Sequence, residues 1–378
     1  AHPTIDVRQE YIAGLSGQYN TKMRQQAISR TLPDVALIQL GPFHELADHF
    51  AEVPKGIVND SEAGSLDATG LAAFQHHGKQ RGLPVSGGNL LIYANPECFA
   101  RAARLRGETV PVPDEAWTMA DFHRTAKRLT CDFDGDGVID QFGFWLPRWV
   151  YYLPFVWSFG AEIAGDGSAD WKLNGPAAER AFSFYQRLAV TDRVSPRDEE
   201  VPQMFQDVAF LTGKVAMCVN GPWFMPFLEQ TKLADSYLVV PIPQFEGRRR
   251  TRITWDGAVM AKNLPRERRL AGTKLLAFLI SKRVQERIAR SGRALPARTD
   301  CMTSFAGSPP DARRSRFVEA LSYSRLQPRF DRFTEVDRVI NRYLVDLTHP
   351  SGTTTPKQML DRLGRDAMIR SVLRSATP

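Results

Sequence analysis

Apolar positions along the chain fall into short runs of two periods, 3.6 and 2, that alternate from one end to the other. Ile5 and Val7 alternate as a strand. Tyr19 to Ser29 is polar, with Met23, Ala27 and Ile28 on one helical face, and Leu32-Pro33-Asp34 then turns the chain into the apolar run Val35-Ala36-Leu37-Ile38. This opening reads as a β-α-β unit, which predicts parallel strands joined by a right-handed crossover. The clearest stretch is Phe205 to Phe227. Phe205, Val208, Ala209 and Leu211 recur at helical spacing, Gly213 ends the helix, and Val215 to Val219 is a strand buried on both faces. The turn Asn220-Gly221-Pro222 delivers Trp223 at that strand's end, a position that suits core packing and a ligand site equally.

Further helices are predicted over 66–76, 117–130, 176–188 and 269–289, and strands over 238–242 and 254–261. The tail from Arg313 is mostly helical, with breaks at Pro328 and Pro350. Gly82 to Asn89 and Leu90 to Tyr93 form two strand-like pieces interrupted by Gly87-Gly88, which marks a bulge, a hinge or the close approach of another group. The alternation predicts an open α/β sheet, and such sheets place ligands beyond their strand ends. Phe43 and His44 follow a strand directly, His44 reading as a surface-loop histidine. Trp145, Trp149, Tyr151, Tyr152, Phe155, Trp157 and Phe159 crowd one segment. So many rings exceed a single amphipathic stripe, so at least one is expected to be exposed, where a flat sugar face stacks on it.

At 378 residues there is chain enough for about two domains. Hydrophobic content of 43% and charged content of 24% are ordinary globular values. No apolar run approaches the roughly 18 residues of a membrane span, and Ala1-His2-Pro3 opens on mature-looking sequence with no signal peptide, so any leader of an exported protein has been removed. The 49 basic and 42 acidic side chains leave a net charge of +7. The excess sits in two loops, Arg248, Arg249, Arg250 and Arg252 in one and Arg266, Arg268 and Arg269 in the other, without interleaved aromatics. A nucleic-acid platform would need that interleaving, so nucleic acid is not expected as a partner. Cys98, Cys131, Cys218 and Cys301 form no CxxC pair, which removes zinc and thioredoxin-like readings. Cys218 reads as a buried hydrophobe, and a Cys98–Cys131 disulfide stays open.

Asp132-Phe133-Asp134-Gly135-Asp136-Gly137-Val138-Ile139-Asp140 spaces carboxylates as the first half of an EF-hand loop does. The candidate ligands are Asp132, Asp134, Asp136, the carbonyl of Val138, and Asp140. The twelfth position is Gly143, where an EF-hand has a bidentate Glu. A structural calcium completed from elsewhere and a metal-free acidic turn are both compatible with this pattern; no cofactor is required by it.

Six pieces in order resemble the extracellular solute-binding proteins of ABC importers, the maltose-binding-protein-like group. They are His2-Pro3-Thr4-Ile5-Asp6-Val7, Leu32-Pro33-Asp34-Val35, Gly82-Leu83-Pro84 with Gly87-Gly88 and Tyr93-Ala94-Asn95, the 132–143 loop, Gly213–Met217 with Asn220–Trp223, and Gly292–Arg298. The resemblance covers nearly the whole chain. It implies an α/β, two-lobed periplasmic-binding-protein fold, each lobe a mostly parallel sheet flanked by helices. Lobe 1 would take 1–90 and 244–296, lobe 2 would take 91–243 and 297–378, and hinge crossings would fall near 88–95, 241–245 and 296–300. The family usually opens with a further strand and helix, which this sequence lacks. Carried over by position, the ligand contacts are Phe43, Asn89, Trp157, Trp223, Trp255, Asp256 and Arg298, with Arg298 alternatively a brace for its own turn. Closure around a ligand would be a hinge motion.

The function so implied is capture of a carbohydrate and its delivery to ABC permease subunits, by a monomer that is periplasmic or extracellular, soluble or lipid-anchored. An anionic solute such as glycerol phosphate or an acidic oligosaccharide is the alternative, prompted by the +7 charge. A carbohydrate-active enzyme needs two carboxylates facing across a bond. Glu162 and Asp256 are available, but no motif fixes them as an acid/base pair, and neither GxSxG nor HExxH occurs.

Overall fold

The computed structural model describes residues 4–12, 16–58, 65–165, 170–202, 204–329 and 332–375. Its strands are β1 (Val35–Gln39), β2 (Gln75–His76), β3 (Lys79–Gln80), β4 (Gly82–Asn89), β5 (Leu91–Ala94), β6 (Met217–Asn220), β7 (Leu238–Val240), β8 (Thr251–Met260), β9 (Leu295–Pro296) and β10 (Ser324–Leu326). No described helix is long and apolar enough to cross a membrane. Two compact units emerge: unit 1 is Ala1–Gly87, Thr254–Arg290 and Pro296–Phe305, and unit 2 is Gly88–Ile253, Ser291–Leu295 and Ala306–Pro378. Of the five cuts between them, three fall inside strands, in β4, β8 and β9.

In unit 1, β8 lies between β1 and β4, with β9 beyond β4. β1 and β8 are antiparallel, Val35 opposite Met260 and Gln39 opposite Asp256. Phe43, Phe50 and Phe74 form the aromatic centre, with Phe43 edge-on to Phe74 at 5.0 Å and stacked with Phe50 at 6.2 Å. Unit 2 holds β5 between β6 and β7, antiparallel to both. Its large core gathers Phe122, Phe144, Phe155 and Tyr185 with the helix Phe333–Leu347. Phe122 meets Phe144 edge-on at 4.8 Å.

Local signals account for many element ends. Thr118 and Asp121 form a capping box ahead of Met119–Leu129, and Thr355 and Gln358 form another ahead of Pro356–Leu363. Pro96 occupies the first turn of Pro96–Arg106 beneath the Asn95 cap, where its missing N–H costs nothing. β6 is fully buried and the helix before it, Gln206–Leu211, ends ahead of Gly213 at φ +71°.

Several elements depart from the sequence pattern. Ile5 and Val7 make no strand, and Val7 is exposed; three alternating residues without a pairing partner do not hold a ladder. The expected parallel β-α-β opening is therefore absent among the described residues. The sheets are likewise not mostly parallel in the ladders seen: β1/β8, β5/β6 and β5/β7 run antiparallel, and β8/β10 parallel. A parallel pair needs a crossover within one unit. β5 instead follows β4 after the single residue Leu90, and β8 carries the chain back from unit 2, so the direction of each is set by that passage. The helix expected over 269–289 is two, Arg266–Ile280 and Lys282–Arg290, parted at the extended Ser281. Phe205 and Val208 are exposed, because the short helix turns Ala209 and Phe210 inward instead. All four cysteines are buried and free, so the Cys98–Cys131 disulfide does not form.

The double glycine is a place of close approach. A Cβ on Gly87 would sit 2.5 Å from the Trp255 ring in unit 1, and a Cβ on Gly88 would sit 2.8 Å from Pro222 and 2.9 Å from Trp223 in unit 2. Overpacking a tight site costs about 1–3 kcal/mol, and each kcal/mol is worth roughly 2–4 °C in units of this size. Gly87→Ala is expected to lower the melting temperature by several degrees in a calorimetric scan. An unchanged melt would mean that the Trp255 indole yields freely.

Candidate functional site

In unit 2 the site is built around the end of β6. Asn220 donates from Nδ2 to Asp207 Oδ1 at 2.8 Å, and its Oδ1 accepts the Gly221 N–H at 2.9 Å. The Tyr93 hydroxyl holds the Gly221 carbonyl at 2.8 Å. This frame fixes a one-turn helix, Pro222–Phe224, with Trp223 half-buried on it. The Trp223 ring lies so close to Gly221 that a Cβ there would fall against it, and Gly88 limits it from another direction. Two residues without side chains thus allow the indole to rest on backbone.

Around Trp223 the same unit brings polar and aromatic groups. Burial pushes the Tyr151 phenol up to about 12; the neighbouring Arg252 and the Trp223 indole act the other way, and Asp207 adds to the rise. Arg252 and Arg325 are register partners on β8 and β10 and share a face. Arg252 is 7% exposed and gives Nε and Nη2 to Gln327 Oε1 at 3.0 and 2.8 Å. The half-exposed Arg325 pairs with Glu162 at 2.6 Å and lies over the Trp157 ring at 5.2 Å. Burial raises the Asp207 carboxyl above its usual range, against the bond from Asn220.

The residues expected from the sequence are placed as follows. Trp223 alone among the four expected aromatics keeps a partly open ring. Trp157 is buried in the unit 2 core, on Leu153–Ser158, with Arg325 over its face. Asn89 is buried and ties Nδ2 to the Phe317 carbonyl at 2.9 Å and to Ser324 Oγ at 3.2 Å. In unit 1, Phe43 lies on the helix Leu40–Leu46 inside the Phe50–Phe74 cluster, and His44 beside it is buried rather than in a surface loop, because the helix begins directly at the strand's end. Trp255 is fully buried, its indole N–H given to Thr69 Oγ1 at 3.1 Å. Asp256 is half-buried opposite Gln39. Arg298 is buried and clasps Asp300 through Nε and Nη2, both at 2.9 Å, the geometry of a brace for its own turn. That clasp also holds the Asp300 carboxyl below its usual range. In unit 1, then, Phe43, Trp255 and Arg298 are engaged within the fold.

Arg325 and Gln327 are not named by the sequence reading, and Tyr151 enters it only as one of seven crowded rings. Arg252 was read with a surface loop, but it stands inside β8. The signal was present: Arg252, Thr254 and Asp256 alternate with Ile253 and Trp255, the period of a strand with one polar face. Of the seven crowded rings, Trp149 is the exposed one, 56% open.

The acidic loop coils inward. Carboxylate oxygens of Asp132, Asp134 and Asp136 lie within 4.8 Å of one another. Asp132 accepts the Gly135 and Gly137 N–H groups at 2.7 and 2.8 Å, and Asp136 accepts that of Val138 at 2.7 Å. Asp140 is not part of this cluster and caps the Phe133 N–H at 2.6 Å. The Gly137 N–H is the chief cause holding Asp132 below its usual range. Asp134 accepts the Asp136 N–H, which lowers it, yet the Asp136 and Asp140 charges with desolvation raise it overall. No side chain can occupy the twelfth position, since a Cβ on Gly143 would collide with the Ala126 carbonyl.

Comparison with known proteins follows the same lines. Residues 1–286 match the family model for the bacterial extracellular solute-binding protein. A binding protein of Brucella abortus (strain 2308) is 26% identical over 250 residues, which are 65% of this chain and 57% of that protein. The chain therefore spans little more than half the length of the curated relatives it matches. Among solved structures, an ABC substrate-binding protein from Listeria monocytogenes in complex with cycloalternan superposes with a TM-score of 0.81 at 19% identity, covering 95% of this chain and 89% of that one. The GacH receptor of Streptomyces glaucescens, solved unliganded and with acarbose, gives 0.81 at 20% identity over 100% and 92% of the two chains. UgpB from Mycobacterium tuberculosis with glycerophosphocholine gives 0.79 at 17% identity over 99% and 92%. These likenesses establish the two-lobed α/β fold. With the family model matching well over half of its length, the chain belongs to the bacterial extracellular solute-binding proteins.

Proposed function

We propose that the chain is the substrate-binding component of an ABC importer, which captures a carbohydrate without chemically changing it and hands it to membrane permease subunits. The observation that carries this reading is Trp223, set at the end of β6 on two glycines with Tyr151 beside it and the Arg325–Glu162 pair in the same unit. An aromatic ring stacks on a flat sugar face, while guanidinium and carboxylate groups bond the hydroxyls. The neighbours solved with cycloalternan and acarbose support a saccharide as the ligand. The protein is read as a monomer working outside the cytoplasmic membrane, released or lipid-anchored.

A second reading has its own support. Arg252 and Arg325 stand side by side, and one structural neighbour was solved with glycerophosphocholine, so a glycerol-phosphate-like anion is the alternative ligand. A phosphate held by paired guanidinium groups gives strongly salt-dependent affinity, and a neutral sugar does not.

The 132–140 loop is proposed to take a calcium ion as a structural brace. Asp132, Asp134 and Asp136 supply hard oxygen ligands that already converge, and the Val138 carbonyl and water would complete the set, since Gly143 excludes a bidentate carboxylate. The ion would neutralise like charges and hold the turn between Leu129 and Phe142.

Two outcomes test these readings. Replacing a stacking hot spot costs about 2 kcal/mol, roughly 30-fold in affinity. Titrated calorimetrically with maltotriose, Trp223→Ala is expected to lose at least that factor while its melting temperature stays within a few degrees of the parent. Equal affinity in the two proteins would remove Trp223 from the site. For the loop, millimolar calcium is expected to raise the melting temperature and a chelator to lower it, with Asp132→Asn and Asp134→Asn together abolishing the response. An identical melt with calcium and chelator would leave the loop a plain acidic turn.

A further inference from the structure

The turn that carries Tyr151 is held by one helix in an unusual way. Trp149–Tyr152 is a short 3-10 turn that begins with Trp149 at φ +55°, a conformation costly for an aromatic residue. The Trp149 N–H is given to Asn341 Oδ1, on the helix Phe333–Leu347. One turn earlier on that helix is Asp337, only 4% exposed, whose backbone carbonyl accepts Asn341 Nδ2 at 2.7 Å. The Asp337 carboxyl interacts with Tyr152, at the other end of the same turn. Thus Asn341 holds the first residue of the turn and Asp337 faces the last, while Tyr151 between them lies beside Trp223.

We propose that Asn341 and Asp337 are positioning residues that clasp the Trp149–Tyr152 turn and so set Tyr151 against Trp223, and that the clasp requires Asp337 to be a neutral carboxylic acid. This rests on the reading of Trp223 and Tyr151 as ligand-facing rings. Every group facing Asp337 bears on the second half. Tyr152 interacts with it from the turn, and Tyr185 on Gly175–Gln186 acts on Tyr152; the Arg252 charge acts on it from β8; Arg338 and Asn341 share its helix. The Tyr152 and Tyr185 hydroxyls and Asp337 Oδ1 are all buried with no hydrogen bond of ordinary geometry. A protonated carboxyl provides the O–H that such a cluster needs, whereas an ionised one leaves a buried carboxylate oxygen without a donor. Desolvation accordingly raises Asp337 to about 7, although Tyr152 and Arg252 both pull it down. Once ionised, it competes for Arg252 with Gln327, whose Oε1 now takes two of that guanidinium's N–H groups.

The sign follows from linkage. A carboxyl raised in the folded state contributes its full stability below the ordinary carboxylate pKa and loses it as pH rises through the folded value. The clasp is therefore firm in mildly acidic solution and loosens as pH passes about 7. Intrinsic tryptophan fluorescence of the full chain, titrated from pH 5 to 9 without ligand, reads this directly because the Trp149 ring is exposed on the turn. The parent is expected to show a one-proton transition near pH 7. Asp337→Asn, a neutral isostere, should hold the low-pH spectrum throughout; Trp149→Phe should remove most of the amplitude; Asn341→Ala should flatten the transition. A transition that persists in Asp337→Asn, or none in a parent that still melts cooperatively, would overturn the proposal. No arm contains a sugar or a phosphate, so failure here leaves the solute-binding reading standing, and a failed ligand titration leaves the clasp standing.

Discussion

Two adjacent residues without side chains, Gly87 and Gly88, let an indole lie directly on the backbone in each unit: Trp255 in unit 1 and Trp223 in unit 2. Interiors are packed to crystal-like density, and a single methyl at either place would need a large side chain to move. The two indoles then part company. Trp255 is closed in by Gly70, Gly87 and Thr69 and serves the core of unit 1. Trp223 keeps part of its ring open, because the frame of Asn220, Asp207 and Tyr93 spends its hydrogen bonds on the strand end rather than on the indole. What distinguishes a core tryptophan from a ligand-facing one here is the surrounding polar frame, since both sit beside a strand.

That distinction marks how far the sequence could be read. The buried strand β6, its Gly213 stop and the turn that delivers Trp223 are visible as local patterns, because each depends on residues a few positions apart. The family resemblance, carried by six short motifs in order, is borne out by the match over residues 1–286. Strand direction was not legible: β5 and β8 are oriented by the chain's passage between units, and no short window holds that information. Nor was the engagement of Asn89 with Phe317 and Ser324, whereas the alternative of Arg298 as a brace for its own turn matches its clasp on Asp300. Positional carry-over names the place of a residue but not its hydrogen-bond partner. Arg252 shows the reverse case, where a strand-period pattern was hidden by the arginines that precede it.

Charge is distributed in unit 2 as though held in reserve. Arg252 and Asp337 are both deeply buried; Gln327 Oε1 takes two of the guanidinium's N–H groups and Tyr152 faces the carboxyl. Taking charged groups out of water is costly even where they are hydrogen-bonded, so such groups are weak evidence of a contribution to stability. Arg252 acts on Tyr151 and Asp337 on Tyr152, so both bear on the turn whose Tyr151 interacts with Trp223. In physical terms the core of unit 2 serves a surface: its polar cluster governs a turn, and that turn presents an aromatic.

The measurement that bears most directly on this account is a thermal-shift panel on the full chain with maltodextrins, cyclic oligosaccharides, acidic sugars and glycerol phosphates, each at low and moderate salt. A ligand that binds only the folded state adds about 2.7 kcal/mol at a hundred times its dissociation constant. The account predicts a clear upward shift with a neutral oligosaccharide that is nearly the same at both salt concentrations. A shift confined to the phosphates and lost with salt would replace the sugar by an anion. No shift with any of them, in a protein that melts cooperatively, would contradict carbohydrate capture itself.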